Sequence, residues 1–188
     1  SDTSSISMRF ATACGMSDRL RLDLVLNDFV TSAFINKHIN ILSDGTPWRP
    51  LIDVQDMCRA FDWAIHEKKN KIPKNFSVNV GRNIFNYKVK DIAYSVSKKI
   101  INTKIKINKK AMPDKRSYSV DFSLYEKLSK ELKPKFTLDK SINRLIKGLE
   151  KLQIKDVNFQ NSNLIRLNSL NNFILNKKLS NNLEWTFK

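Results

Sequence analysis

The stretch Ser43–Ile65, SDGTPWRPLIDVQDMCRAFDWAI, decides how the rest of the chain is read. It opens on the Asp44-Gly45 turn that closes a preceding apolar segment, HINILSDG. It runs on through WRPLIDV, where Pro50 biases Arg49 towards an extended backbone, so this segment reads as a second strand. Asp56 then stands at the N-cap of a helix whose Met57, Ala60, Phe61, Ala64 and Ile65 share one face. Strand, turn, strand and amphipathic helix in so short a space point to an α/β chain.

The flanks continue the alternation. Upstream, Ile6 to Ala13 (ISMRFATA) is a short apolar run halted at Cys14-Gly15, a buried strand in pattern. Leu22, Val25, Leu26, Phe29, Val30, Ala33 and Phe34 then recur at three- and four-residue spacing, which predicts a helix over residues 20–36. Downstream, FSVNV stops at Gly81, and residues 91–101 read as a helix with Ile92, Val96 and Ile100 inward. TKIKI (103–107) alternates as an exposed strand, Asp121 or Ser123 caps a helix through Leu132, and a further helix covers Leu138 to Leu152. No internal repeat is visible.

Composition narrows the class. The 188 residues are 41% hydrophobic and 28% charged, with two cysteines and a formal net charge of +16, enough for a real core and too mixed for a disordered tail. The N-terminal SDTSSIS lacks a signal peptide's basic-then-apolar layout, no apolar run approaches a membrane span, and a cytoplasmic protein is expected. Cys14 and Cys58 make no disulfide framework. Starting at Ser1 rather than Met, the chain reads as a piece of something longer. Residues 1–65 carry six basic and eight acidic side chains, so the whole excess lies downstream, as Lys scattered among Asn. That pattern suits a solvated surface better than a sequence-reading nucleic-acid face, with a general anionic partner between the two.

Several chemistries are excluded. The four glycines, at 15, 45, 81 and 148, are too far apart for a dinucleotide loop or a P-loop. His38 and His66 have no Cys or carboxylate at ligand spacing, so no metal is expected. Arg9, Asp18, Arg19, Arg21 and Asp23 read as local surface pairs, each worth under about 1 kcal/mol.

Four segments resemble, in order, the extended short-chain dehydrogenases/reductases, the NAD-dependent nucleotide-sugar epimerase/dehydratase family. They are MRFATACG, the Ser43–Ile65 stretch with its Asp44-Gly45, Arg49, Val54, Asp56 and Ala60, then FSVNVG and RSYSVDFS. The resemblance covers about residues 5–150 and places the chain after the family's glycine-rich loop and catalytic Tyr-xxx-Lys. It implies the C-terminal part of a doubly wound Rossmann-type sheet plus a smaller α/β substrate-binding lobe. Residues 1–75 would hold the remaining Rossmann elements mixed with lobe elements, 76–150 the lobe, and 151–188 an extension present in some members. NAD or NADP would be held mainly by an N-terminal half, the full-length enzyme could be a homodimer, and this chain alone would be inactive.

Tyr94-Ser95-Val96-Ser97-Lys98 is a literal Tyr-xxx-Lys, yet it follows NVG and sits on a helix without a cofactor loop, so no catalytic residue is assigned here. A guanidinium offers paired donors matched to phosphate oxygens, which makes Arg49 and Arg116 the candidates for a nucleotide diphosphate. By resemblance both stand where the family's arginines hold that group; the plain alternative is a surface or strand-edge arginine. Asn27 aligns with a side chain that reaches the phosphates, or is a solvated helix residue. Thr12 stands where the family's strand usually has Asn, a departure at a sugar or base contact. Phe10 and Ala13 would line the nicotinamide end, or simply pack. Trp48 could stack on a base or sugar, and Asp56 and Asp121 are assigned to capping.

Three functions stay open: the substrate-binding half of a nucleotide-sugar epimerase or dehydratase, a non-catalytic binding module derived from that fold, and a basic nucleic-acid-binding protein. An upstream glycine-rich loop and Tyr-xxx-Lys separate the first two. Salt-dependent DNA binding that survives loss of Arg49 and Arg116 marks the third.

Overall fold

The computed structural model describes residues 5–66, 73–111, 116–154 and 157–186; part of the Lys-rich KKNKIPKN run therefore lies outside the described residues. In chain order the elements are β1 (Ser5–Phe10), β2 (Thr12–Cys14), α1 (Val25–Asn36), β3 (His38–Ile41), β4 (Trp48–Asp53), α2 (Val54–His66), β5 (Asn75–Val80), β6 (Asn86–Lys88), α3 (Val89–Lys99), β7 (Lys104–Ile107), α4 (Ser123–Ser129), α5 (Leu138–Leu152) and α6 (Arg166–Leu175). The alternation expected from the sequence is present, and α5 has the bounds its periodicity predicts.

The apolar run at residues 6–13 forms two strands, because it changes partner halfway. β1 pairs parallel with β5, Phe10 opposite Val80, and β2 pairs parallel with β4, Thr12 opposite Leu51. The switch falls at Ala11, whose N–H still bonds the Val80 carbonyl. β4 also takes β6 antiparallel on its other side, and β3 pairs parallel with β7.

Helix α1 starts five residues later than the spacing predicts. Leu22 is buried as expected, but residues 21–24 form a turn held by the Asn27 amide, whose Nδ2 donates to the Arg21 carbonyl at 2.9 Å and whose Oδ1 accepts the Gly15 N–H at 2.9 Å. Asp56 is a second correction. It lies inside α2, fully buried, and its carboxylate accepts the Lys135 and Phe136 N–H groups at 2.8 to 3.0 Å. The residue that bonds the start of α2 is Asp53, through the Gln55 N–H. Asp121 does act at the head of α4, accepting the Ser123 N–H at 2.9 Å.

Two apolar cores result, each drawn from distant parts of the chain. Leu26 and Val30 of α1, Ile39 of β3, Ile92 and Val96 of α3 and Ile142, Leu145 and Leu149 of α5 form the larger. The smaller joins Val78 and Val80 of β5, Trp63 of α2, and Phe122 and Tyr125 at α4. Burial of each such side chain contributes about 1.5–3 kcal/mol. Phe159, from the C-terminal segment, is 1% exposed within the larger core and ties residues 157–165 to it.

Candidate functional site

A cleft of about 570 Å³ opens where the ends of β2, β3 and β4 meet the start of α1. Thr12, Arg49 and Arg116, three of the sequence candidates, line it together, although Arg116 is 67 residues from Arg49. The convergence has a structural cause. The segment bearing Arg116 lies along β4: the Trp48 N–H donates to Ser117 Oγ at 3.0 Å, and the Tyr118 N–H donates to the Trp48 carbonyl at 3.4 Å.

Arg49 is set in place by its own backbone and by that segment. One terminal nitrogen donates to the Trp48 carbonyl at 2.7 Å and to the Arg116 carbonyl at 2.6 Å. Its guanidinium carbon lies 5.9 Å from the centre of the Tyr118 ring, a cation–π contact that orients the group. The Tyr118 hydroxyl is 3.3 Å from Thr12 Oγ1, so arginine, tyrosine and threonine form one linked group on the cleft wall. A guanidinium held this way needs little reordering before it meets an anion.

The remaining candidates lie elsewhere. Asn27 is 2% exposed and absent from the cleft wall; its amide bonds the Gly15 and Arg21 backbone. Gly15 needs that clamp, for it has φ of +99° and a Cβ there would meet Asp53 Oδ2 at 2.5 Å. Phe10 packs on Phe61, ring centres 5.5 Å apart, and neither it nor Ala13 borders the cleft. Trp48 is partly exposed under Lys88, whose Nζ is 5.3 Å from its ring, and it too is off the cleft.

Sequence reasoning missed four cleft residues. Tyr118 follows Arg116 by two, and only the pairing with β4 reveals its role. Asn40 sits between the buried Ile39 and Ile41, an alternation that marks it as facing outward from β3. Asp28 interrupts the apolar face of α1, and burial pushes its carboxyl above the usual carboxylate range, opposed by hydrogen bonds from Gln160 and Ser32. Gln160 has no signal in the sequence.

Other polar clusters serve the fold. Asp53, fully buried, accepts Ser141 Oγ at 2.6 Å and an Arg144 terminal nitrogen at 2.7 Å. Burial, with Asp53 and Asp56 nearby, pushes the Cys14 thiol up, so it stays protonated and is no nucleophile. Tyr94 is 48% exposed on α3, outside the cleft. Among the described residues His66 pairs with Asp62 on its own helix, and no group of three His, Cys, Asp or Glu that could hold a metal occurs. No helix among them is long and apolar enough to cross a membrane. The four dispersed glycines provide no backbone cradle for a pyrophosphate, so these residues do not fit a dinucleotide by themselves.

Residues 1–81 match the model of the NAD dependent epimerase/dehydratase family. The fold is similar to that of solved NAD-dependent nucleotide-sugar enzymes. A UDP-glucuronic acid 4-epimerase from Bacillus cereus, in complex with UDP-glucuronic acid and NAD, is 21% identical with a TM-score of 0.63, over 77% of this chain and 45% of that one. A dTDP-glucose 4,6-dehydratase from Bacillus anthracis, in complex with NAD, is 18% identical with a TM-score of 0.61, over 78% and 44%. A UDP-glucose 4-epimerase from Thermotoga maritima, with UDP-glucose, is 17% identical with a TM-score of 0.61, over 79% and 47%. The chain thus spans less than half the length of these structures, and the likeness establishes a mixed α/β fold with parallel strands of Rossmann type.

Proposed function

We propose that this chain is the substrate-binding part of an NAD(P)-dependent nucleotide-sugar epimerase or dehydratase, working in the cytoplasm. The observation that carries the proposal is the convergence of Arg49 and Arg116 with Thr12 and Tyr118 on one cleft, beside the carboxyl ends of the parallel strands β1 and β3 and the start of β4. Ligands of open α/β sheets bind at the carboxyl ends of the strands, and a diphosphate calls for fixed cationic donors. The two arginines take the diphosphate, and Thr12 with the Tyr118 hydroxyl takes hydroxyls of the sugar. Val25, Phe29 and Val89, also on the cleft wall, offer apolar surface for the flat faces of a nucleoside.

NAD(P), where bound, supplies hydride transfer. This chain's share is to orient the sugar against the cofactor, which a second, N-terminal half holds. Support for that second half comes from β1, which pairs only with β5 among the described residues, and from α2, whose Phe61 and Ile65 are 50% and 76% exposed beside Phe10. An open strand edge next to an apolar helix face suits a further strand and helix. A full-length homodimer belongs to the same proposal.

The test is thermal unfolding of the full-length protein with UDP-glucose, UDP-glucuronic acid, dTDP-glucose and NAD. A nucleotide sugar is expected to raise Tm, and Arg49→Ala or Arg116→Ala to reduce the rise. No shift with any of these ligands would refute the proposal. A Tm rise without NAD-dependent turnover of any sugar would favour a non-catalytic binding module instead.

A further inference from the structure

Beside the Arg49 group, the same cleft carries a second polar pair that the proposed function leaves unused. Asp28, in the first turn of α1, and Gln160, in the C-terminal segment, both line it. They are joined across 132 residues: Gln160 Nε2 donates to Asp28 Oδ1 at 3.3 Å. Ser32 Oγ donates to the same oxygen at 3.4 Å. Among the described residues Asp28 Oδ2 takes no hydrogen bond, and Gln160 keeps its second amide hydrogen.

Gln160 is exposed, yet its backbone is fixed. Its neighbour Phe159 is buried in the larger core, its carbonyl accepts Asn168 Nδ2 at 2.8 Å, and the Val157 carbonyl accepts Asn36 Nδ2 at 3.3 Å. The C-terminal segment is thereby pinned along α1, from Asn36 at the helix end to Asp28 beside the cleft. A carboxylate repels a diphosphate, so this part of the cleft does not compete with the arginines for it. Thr12, on the arginine side, sits at the junction of β1 and β2 near the face proposed to meet the cofactor half, which assigns the sugar to that side. The nucleoside then falls to the Asp28 side. There Asp28 Oδ2, half-buried and without a donor among the described residues, gains from a ligand N–H.

We propose that Asp28 and Gln160 read the base of the bound nucleotide, which makes the C-terminal segment part of the substrate site; this rests on the functional reading above. Asp28 Oδ2 accepts a ring N–H, and the second Gln160 amide hydrogen donates to the adjoining carbonyl. Uracil, thymine and guanine present that pair of groups side by side. Adenine and cytosine place a ring-nitrogen lone pair where the N–H is needed, against the carboxylate oxygen.

Calorimetric titration of the full-length protein with UDP, dTDP, GDP, ADP and CDP tests this. Wild type is expected to bind the first three at least about ten times tighter than the last two. In Gln160→Ala and Asp28→Asn that ratio is expected to fall below about threefold, while Arg49→Ala weakens all five alike and keeps the ratio. Gln160→Ala removes an exposed side chain, so it reports on binding even where Asp28→Asn disturbs α1. An unchanged ratio in Gln160→Ala, with binding retained, overturns the base-reading role and leaves the functional reading standing. Equal binding of all five by wild type overturns it too. Absence of binding by any of the five overturns both.

Discussion

Two groups of charged side chains lie on opposite ends of β4, and they do different work with the same chemistry. At the N-terminal end Arg49 stands at a cleft wall, half-buried, one terminal nitrogen on the Trp48 and Arg116 carbonyls and its face on Tyr118. At the C-terminal end Asp53 is buried without exposure and closed off by Arg144, Ser141 and the Gln55 N–H. The first group is held in place while still bordering open space; the second spends its charges inside the protein. Burial, rather than residue type, separates the two groups: Arg49 borders the cleft and Asp53 is sealed in the core.

Removing a charge at each end puts that contrast at risk. Arg144→Ala leaves the Asp53 carboxylate buried without its cation and is expected to cost about 3 kcal/mol of stability, read by urea unfolding. A loss under about 1 kcal/mol would mean that the buried pair matters no more than a surface one. Next in size, Asn27→Ala removes the amide that clamps Gly15 to the Arg21 turn and should cost about 2 kcal/mol. Nucleotide affinity should stay within about twofold of wild type in the fraction that remains folded, since the amide does not face the cleft. A large affinity loss at intact stability would return Asn27 to the binding residues.

A smaller effect comes from pH. Burial raises the Asp56 carboxyl above its ordinary 3.8, opposed by the Lys135 and Phe136 N–H groups. The folded state therefore holds a proton over a range where the unfolded state has lost it, and stability falls as pH rises through the folded pKa. Relative to Asp56→Asn, which cannot titrate, wild type is expected to be more stable near pH 4 than near pH 7; the opposite slope would assign Asp56 a favourable ionised state. Smallest of all, on the function proposed above, Tyr94→Phe should leave turnover within error of wild type. Loss of turnover with intact folding would make Tyr94-xxx-Lys98 catalytic after all.

Much of this contrast was legible in the sequence, and what was not had a common cause. Arg49 and Arg116 could be chosen because residue type and motif position agree, and Leu138 to Leu152 because apolar periodicity and the Thr137 cap act locally. The break at Ala11 was hidden, since both strands read as one apolar run and only their partners, β5 and β4, differ. Asp56 carries the spacing of a cap, yet a segment 79 residues away claims its oxygens. Gln160 sits in an Asn-rich stretch with no periodicity, and reaches the cleft only because Phe159 anchors it in the core. Local rules locate elements and caps; side chains recruited by distant partners escape them.

The claim that Arg49 and Arg116 bind a diphosphate is tested most directly by titrating wild type, Arg49→Ala and Arg116→Ala with UDP-glucose and, separately, with uridine. Each arginine removed should cost about 2 kcal/mol of affinity for UDP-glucose, roughly thirtyfold, and leave the weak binding of uridine unchanged. Equal losses for both ligands, or none for UDP-glucose, would contradict it.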